Sequence, residues 1–420
     1  MINKGRIGRA TATAIGAALL ASVAVAQEID FSVMESGTYD VAAREIAEQV
    51  AAAGGPTVNV SAFPWAVLRQ NNTTDLISGT NQYDVMSGGY YLADVYSYFQ
   101  PLSDLVERDG YAQGMIPGLI EPGRSEYLGG ELIGIPYGVD AMGLLYNRAL
   151  LEQAGADPAS LTTWDAVATA CAAIEEAAEA ACLSHATGSP EQIGAFFFAG
   201  YAGPYVTAEG TYALDAEAAT AAAEDIAALW PYLPENGTAM SFDEAHQVFR
   251  DGQAALLVTW PSFVTNQLDA EDSPVRGQWS MAPMPGEGFP WLSLWQMFVP
   301  ATADREAAWT WIKAYAGPEN AARNLVEHNI GSVWTATYED PALAAGREHY
   351  WPVLTQGFAE AKNPPLSGEA QDLLTNTLQE VANGRVGAAE AIASVNEGWA
   401  AIPVPPALLE AAQGSGLVAQ

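Results

Sequence analysis

The N-terminal part of the sequence alternates between short β-rich runs and a segment with helical periodicity, and this alternation limits the folds open to the chain. Residues 29–33, 57–62 and 83–86 are β-rich runs. Residues 40–53 place apolar side chains at helical spacing and end at a Gly-Gly-Pro sequence, which stops a helix. The order predicts an α/β sheet with helices on both faces. Ligands of such sheets bind beyond the carboxyl ends of the strands.

The chain is long enough for two domains. It has 420 residues, of which 50% are hydrophobic, so it can bury large cores. It carries 16 Lys and Arg residues against 50 Asp and Glu residues, a formal net charge of −34. A surface this acidic repels nucleic acid and anionic lipid headgroups, so we expect neither as a partner.

Residues 1–26 have the pattern of a secretory signal peptide. A basic start with Lys4, Arg6 and Arg9 precedes an apolar run that ends in an Ala-Val-Ala cleavage pattern. A membrane anchor is the alternative, but the run is short and rich in Ala and Thr. We therefore expect an exported, periplasmic protein that is cleaved near Ala26. No other uninterrupted apolar run is long enough to cross a bilayer.

Cys171 and Cys182 are the two cysteines of the chain. In an oxidising compartment, an isolated pair at this spacing predicts a disulfide that closes a small loop. Two buried free thiols are the alternative. Because the pair has no neighbouring His, it does not suggest a metal site, and we predict no metal and no cofactor.

The remainder of the sequence predicts mainly helices. Ser241 is placed to cap one of them, residues 254–259 form a buried strand, and residues 305–316 form a further helix that ends before Gly-Pro. The C-terminal end, with three prolines near residues 403–406 and a Gly/Ser-containing tail, predicts a loosely held terminus.

Three segments then carry a resemblance to a known family. Residues 128–151 contain G-x-L-x-x-x-P followed by Asp140 and L-x-Y-N-R-x-L, and residues 249–261 read F-x-x-G-x-A-A-L-x-x-x-W-P. Residues 282–286 with 307–313 supply A-P-M-P-G and A-A-W-x-W-I-K. In this order the motifs resemble those of extracellular solute-binding proteins of the maltose-binding (family 1) type, components of sugar ABC importers. One departure concerns an aromatic residue, because Trp-Pro-Ser stands where the family has Gly-Pro-Trp.

The resemblance implies an α/β, two-lobe periplasmic-binding-protein fold, with hinge crossovers and a ligand cleft between the lobes. We predict residues 27–138 plus 286–332 for lobe 1 and residues 139–285 plus 333–420 for lobe 2. Closure of the lobes on the ligand follows as a hinge motion.

Candidate ligand-binding residues follow from the chemistry of sugars, whose hydroxyls need donors and acceptors and whose C–H faces need aromatic surfaces. Asp140 matches the position of the family's acidic ligand-binding residue, and a surface carboxylate or helix cap is the alternative. The others are aromatics, glycines and polar residues on predicted loops and strand ends, each with core packing or an ordinary turn as the alternative: Trp65, Ser87, Gly89, Tyr90, Tyr137, Tyr201, Trp260, Trp291, Trp295 and Trp334.

The predicted function is reversible capture of a mono- or oligosaccharide and its delivery to the permease subunits of an ABC importer, by a monomeric protein. A polyol-binding or polyamine-binding protein of the same fold is the nearest alternative, since acids and aromatics also suit ammonium groups. An exported glycoside hydrolase is less favoured, because no pair among the 50 acidic residues stands out. The four His residues have no zinc-site spacing, so we predict no enzymatic activity.

Overall fold

The computed structural model describes residues 28–35 and 38–419. The predicted signal peptide therefore lies outside the described residues. Two separate sheets organise the described chain, one of five strands and one of four, and a two-stranded hairpin accompanies them. We call the part packed around the five-stranded sheet lobe 1 and the part packed around the four-stranded sheet lobe 2. The mixed strand and helix content agrees with the predicted α/β class.

Lobe 1 has the strand order β2-β1-β3-β11-β6. Strand β1 pairs in parallel with β2 and β3, while β11 runs antiparallel to β3 and β6. Every residue of β6 is buried, and the helices Arg305–Ala316 and Trp351–Glu360 pack against this strand. The strands of lobe 1 are β1 (Glu28–Met34), β2 (Thr57–Phe63), β3 (Val85–Gly88), β6 (Gly134–Ala141) and β11 (Leu292–Phe298), and the hairpin is β4 (Tyr127–Leu128) and β5 (Glu131–Leu132).

Lobe 2 has the strand order β10-β7-β9-β8. The central strand β9 consists of six buried residues, as its continuous apolar sequence predicts, and it pairs in parallel with β8 and antiparallel with β7. A disulfide joins Cys171 to Cys182, the residue after the start of β8. The strands are β7 (Gly143–Asn147), β8 (Ala181–His185), β9 (Ala254–Thr259) and β10 (Trp279–Ala282).

Side-chain caps begin many of the helices. Ser241 accepts a hydrogen bond from the Glu244 N–H and Glu244 bonds back to the Ser241 N–H, a capping box that confirms the predicted helix start. The α-helices are α1 (Tyr39–Ala52), α2 (Trp65–Ser78), α3 (Ser103–Asp109), α4 (Arg148–Gln153), α5 (Trp164–Ala177), α6 (Gly194–Gly200), α7 (Ala216–Leu229), α8 (Phe242–Arg250), α9 (Thr265–Leu268), α10 (Arg305–Ala316), α11 (Pro318–His328), α12 (Thr335–Glu339), α13 (Pro341–Ala344), α14 (Trp351–Glu360), α15 (Gly368–Ala382), α16 (Ala388–Trp399) and α17 (Pro406–Ser415).

The chain crosses between the sheets at two places near the cleft. Met142 alone separates β6 from β7, and residues 283–291 connect β10 to β11. The Met142 N–H donates to the Trp291 carbonyl at 2.9 Å, so the two crossovers lie side by side. Strand β6 stays in the five-stranded sheet to Ala141, beyond the predicted boundary at residue 138. We therefore propose Met142 as the first crossover residue.

The prediction of a loosely held C-terminus is wrong. Helix α17 buries Leu408 and Ala412, which are one helical turn apart, and Leu417 follows them into the interior. Val418 then pairs with Val206 of lobe 2. The prolines begin this helix rather than disrupt it, because Pro406 occupies its first turn, where no N–H is needed.

Among the described residues, no helix combines the length and the apolar character needed to cross a membrane.

Candidate functional site

A cavity of about 790 Å³ lies between the two lobes. Several of its lining residues lie at the ends of lobe 1 strands. Met34 is the last residue of β1, Gly89 follows β3, and Asp140 lies one residue before the end of β6. Trp260 follows β9 of lobe 2. The cavity thus occupies the edge at which α/β sheets bind ligands, and its volume is in the ordinary range for ligand pockets.

Aromatic side chains form a continuous row along the lobe 1 wall. Tyr91 lies between Trp65 and Trp295, with ring centroids 5.6 and 6.4 Å away, and Trp295 in turn packs against Tyr39 at 5.6 Å. Trp65 begins α2 and is 36% exposed, whereas Trp295 is 9% exposed. The row offers apolar ring faces to whatever occupies the cavity.

A second aromatic pair lies across the cavity. The rings of Trp260 and Trp291 are 5.4 Å apart, and both are largely buried. The Trp260 Nε1–H donates to the Gln192 Oε1 at 3.0 Å. Because Gln192 also lines the cavity, its amide lies where it can reach a ligand.

Asp140 lines the cavity with a buried carboxyl group. One carboxylate oxygen accepts the Ser262 main-chain N–H at 2.9 Å and also the Ser262 hydroxyl, and the other accepts the Ala141 N–H at 2.9 Å. Burial raises the pKa of Asp140 to about 7, and the hydrogen bonds from Ser262 partly oppose that increase. Asp140 therefore joins β6 of lobe 1 to the turn that follows β9 of lobe 2.

The same turn is held from a second direction. Asn329 follows α11, and its side-chain amide donates to the Ser262 carbonyl. Ser262 occupies the position where the resemblance places a tryptophan, and it uses its small side chain to reach Asp140. The displaced aromatic, Trp260, still lines the cavity from two positions earlier.

A further hydrogen bond joins the two lobes across the cleft. The Tyr90 hydroxyl donates to the Gln371 Oε1 of α15 at 2.9 Å. Helix α15 packs on α7 and α16 of lobe 2, whereas Tyr90 follows the lobe 1 strand β3. The lobes are thus in direct contact at two places along the cavity.

The charges that line the cavity are mostly negative. Glu191, Asp243 and Asp372 add to Asp140, and Arg69 supplies a positive charge. His246 also lines the cavity, where burial lowers its pKa to about 4, so its ring is neutral at physiological pH. The electrostatics disfavour an anionic ligand.

The structure brings together seven of the predicted site residues at the cavity: Trp65, Gly89, Tyr90, Asp140, Trp260, Trp291 and Trp295. Their binding roles remain predictions. Four others do not line it. The Ser87 and Tyr137 hydroxyls bond each other at 2.7 Å in the interior of lobe 1, and the Trp334 Nε1–H donates to the Ala316 carbonyl. Tyr201 is buried in lobe 2, where its hydroxyl donates to the Pro204 carbonyl.

These four lie elsewhere for a physical reason. Ser87 and Tyr137 lie within β3 and β6, where their hydroxyls satisfy each other in the interior of lobe 1. Tyr201 and Trp334 each satisfy their polar atom within their own lobe. We therefore leave them out of the proposed site.

Several lining residues escaped the sequence prediction, among them Tyr39, Arg69, Tyr91, Ser262 and Gln371. The sequence could have indicated Arg69, because it lies four residues after the predicted site residue Trp65 and therefore shares its face of α2. Gln371 had none, because it reaches the cleft only through the packing of a helix distant in sequence.

One group of possible metal ligands lies away from the cleft. Glu45, Glu327 and His328 bring their ligand atoms within 4.8 Å of one another. Arg323 forms ion pairs with Glu45 at 3.0 Å and with Glu327 at 3.4 Å. A guanidinium already neutralises these carboxylates, so the group fits a surface ion-pair network.

Comparison with known proteins agrees with this architecture. Residues 36–322 match the family model described as bacterial extracellular solute-binding protein, and the chain belongs to that family. Maltose-bound MalE3 of T. maritima aligns over 89% of this chain and 99% of its own with a TM-score of 0.76 at 18% identity. A ribitol complex of an Agrobacterium radiobacter ABC transporter solute-binding protein gives a TM-score of 0.74 at 19% identity, over 89% of this chain and 98% of its own. These likenesses establish the two-lobe binding-protein fold.

Curated relatives are more similar in sequence but cover less of the chain. The mannitol-binding protein of Pseudomonas aeruginosa is 26% identical over 307 residues, 66% of this chain and 67% of that protein. Binding proteins of Brucella are 27% identical over 269 residues, which span 60% of this chain and only 62% of their own length.

Proposed function

We propose that this protein binds a neutral, hydroxyl-rich ligand, a mono- or oligosaccharide, between its lobes and delivers it to an ABC-type importer. The observation that carries the proposal is a cavity lined by an aromatic row on lobe 1, by the Trp260–Trp291 pair and by the Asp140 carboxylate. Aromatic faces suit the apolar C–H faces of sugar rings, and a carboxylate accepts hydrogen bonds from neighbouring hydroxyls.

The Asp140 carboxylate and the Gln371 amide already bridge the two lobes. A ligand that replaces or adds to these bridges contacts both lobes at once. Its greater affinity for the closed arrangement then drives closure, since a ligand shifts a conformational equilibrium only by its difference in affinity for the two states.

A polyol is the second candidate. Similarity to a mannitol-binding protein and to a ribitol complex supports it, and a linear polyol presents the same hydroxyl groups without a ring. A polyamine is a weaker candidate that the four carboxylates of the cavity favour. We expect binding without turnover, and a glycoside hydrolase remains the contrasting outcome.

Thermal-shift measurements on the purified mature protein separate these candidates. The panel contains maltose, glucose and cellobiose as sugars, mannitol and ribitol as polyols, and spermidine as a polyamine. We expect a higher Tm with a sugar and no product after prolonged incubation. A Tm increase with spermidine alone, or product formation from a glycoside, contradicts the proposal.

The proposal includes export to the periplasm by the signal peptide, action as a monomer, and docking on the permease subunits of the importer. The family supports an exported role. Edman sequencing of the mature protein from a periplasmic extract tests the export step, with an N-terminus near residue 27 as the expected result.

A further inference from the structure

A second cavity adjoins the cleft on lobe 1. It has a volume of about 410 Å³ and lies between α2 and the 3-10 helix Tyr90–Tyr98. Trp65, Arg69, Tyr91 and Gly368 line both cavities, so the two spaces meet along a shared edge. The proposed function uses the first cavity and leaves the second unexplained.

One face of α2 runs along this second space. Trp65, Arg69 and Thr73 recur every fourth residue and all line it, while Leu68 and Asn72 point to the interior of lobe 1. At a rise of about 1.5 Å per residue, the face from Trp65 to Thr73 is about 12 Å long. The helix thus presents an extended groove wall that starts at the cleft and leads away from it.

The far part of this wall is polar and hydroxyl-bearing. Gln70, Thr73 and Thr74 line it from α2, and Asp94 lines it from the 3-10 helix. Amide and hydroxyl groups both donate and accept hydrogen bonds, as the recognition of ligand hydroxyls requires. A carboxylate among them disfavours an anionic group at this end of a ligand.

Arg69 stands at the junction of the two cavities. Its guanidinium lies over the Trp65 ring, 5.9 Å from the centroid. Within the described part of the chain it forms no ion pair and no hydrogen bond, although carboxylates line the cleft beside it. A half-buried guanidinium with five unused N–H donors above an aromatic ring is suited to the hydroxyl and ring oxygens of a stacked sugar.

We propose that the two cavities form one extended site for a neutral oligosaccharide of at least two ring units, which passes Trp65 and Arg69 at the junction. One unit lies in the cleft beside Asp140, and the next lies against the polar wall of α2. The inference rests on the proposed function, because a sugar must first occupy the cleft for the second cavity to extend the site.

Isothermal titration calorimetry on the full mature protein tests the proposal with two series of matched length: glucose, maltose and maltotriose, and glucose, cellobiose and cellotriose. We expect at least tenfold tighter binding of the trisaccharide than of the monosaccharide in the series that binds. Equal affinity along both series, or binding of mannitol alone, overturns the extended site. Absence of binding by every sugar and by mannitol instead removes the proposed function and the extension with it.

Two variants fill the second cavity from opposite walls. Thr73→Trp places an indole on the α2 wall, and Asp94→Trp places one on the exposed opposite wall, so a folding defect in one leaves the other informative. Each is expected to weaken trisaccharide binding at least tenfold and to leave monosaccharide affinity within about twofold. Ile77→Trp, at a position that is 63% exposed on the same helix, is the matched control and is expected to change neither. Unchanged trisaccharide affinity in both cavity variants overturns the proposal.

Discussion

The core of lobe 1 and the cleft between the lobes are both rich in aromatic side chains, and burial does not distinguish the two regions. Trp334 in the core and Trp291 at the cleft are each 4% exposed. Their neighbours differ. In the core, the Trp334 Nε1–H and the Tyr315 hydroxyl donate to main-chain carbonyls of the same lobe, whereas at the cleft Trp260 and Tyr90 donate to side-chain amides.

This difference separates Trp334 and Tyr315, which are structural, from Trp260 and Tyr90, which we propose are available for binding. A main-chain carbonyl in a packed helix is a fixed partner, and losing it leaves a buried polar group unsatisfied. The Gln192 and Gln371 side chains can rotate, so their amides can transfer from a protein partner to a ligand without disrupting a lobe. We therefore expect core substitutions to act on stability and cleft substitutions to act on affinity.

The largest expected effect is on the core. Trp334→Ala removes a buried indole that packs on Tyr111 and bonds the Ala316 carbonyl, so we expect about 3–5 kcal/mol less stability in denaturant unfolding. Ligand affinity, measured on the folded fraction, is expected to stay within about twofold. If Trp334→Ala instead weakens ligand binding and leaves stability unchanged, Trp334 belongs to the binding site, and its main-chain hydrogen bond does not mark a structural role.

The core and the cleft each contain a buried carboxyl group whose titration should affect stability. Glu126, in the lobe 1 interior, and Asp140, at the cleft, both have a pKa raised to about 7 by burial. Since the folded state binds these protons more tightly than the unfolded chain, their stabilising contribution is fully present below about pH 4 and is lost as the pH rises to about 7. Each contribution is on the order of 3–4 kcal/mol.

The two carboxyls should respond differently to ligand. The groups around Glu126 are Gln296 and Tyr96. We expect Glu126→Gln to remove the part of the pH dependence of Tm that comes from Glu126, whether or not a sugar is bound. Asp140 faces Ser262, with Tyr39 and Tyr338 nearby. We expect ligand hydroxyls that donate to Asp140 to favour its ionised form. Affinity is therefore expected to fall as the pH decreases from 8 to 6, and a pH-independent affinity would remove the Asp140 carboxylate from ligand contact.

Replacement of Asp140 tests its contribution to ligand binding. Asp140→Ala removes a charged acceptor, so we expect about 10- to 100-fold weaker binding and loss of the ligand-induced increase in Tm. Ser262→Ala is the matched control, because it keeps the carboxylate and the main-chain N–H that bonds it. We expect less than threefold weaker binding for this control. Full affinity in Asp140→Ala would show that its role is confined to joining the lobes.

Local patterns made much of the fold predictable. The alternation at the N-terminus, the cap at Ser241 and the apolar run of β9 all led to elements that the structure contains. The C-terminal helix was missed because its prolines read as disorder, although the spacing of Leu408 and Ala412 carries an amphipathic signal.

The site was only partly predictable, for a different reason. The family resemblance indicated Asp140, and its position after a buried strand indicated Trp260, in both cases without knowledge of the partner lobe. Trp334 and Tyr201 met the same sequence criteria and yet pack inside a lobe, because the choice between cleft and core depends on neighbours that are remote along the chain. Gln371 belongs to the cleft only because α15 faces the start of the Tyr90–Tyr98 helix.

The smallest expected effect tests the exposed end of the aromatic row. Trp65 contacts Tyr91 and lies beneath Arg69, but it is 36% exposed, so Trp65→Ala should change stability by less than about 1 kcal/mol. Loss of a stacking face is expected to weaken sugar binding by about three- to tenfold, and Trp65→Phe should restore part of it because an aromatic face remains. Calorimetry of the three proteins side by side checks this order. If alanine and phenylalanine weaken binding equally, the Trp65 ring does not stack on the ligand, and the lobe 1 row ends at Tyr91.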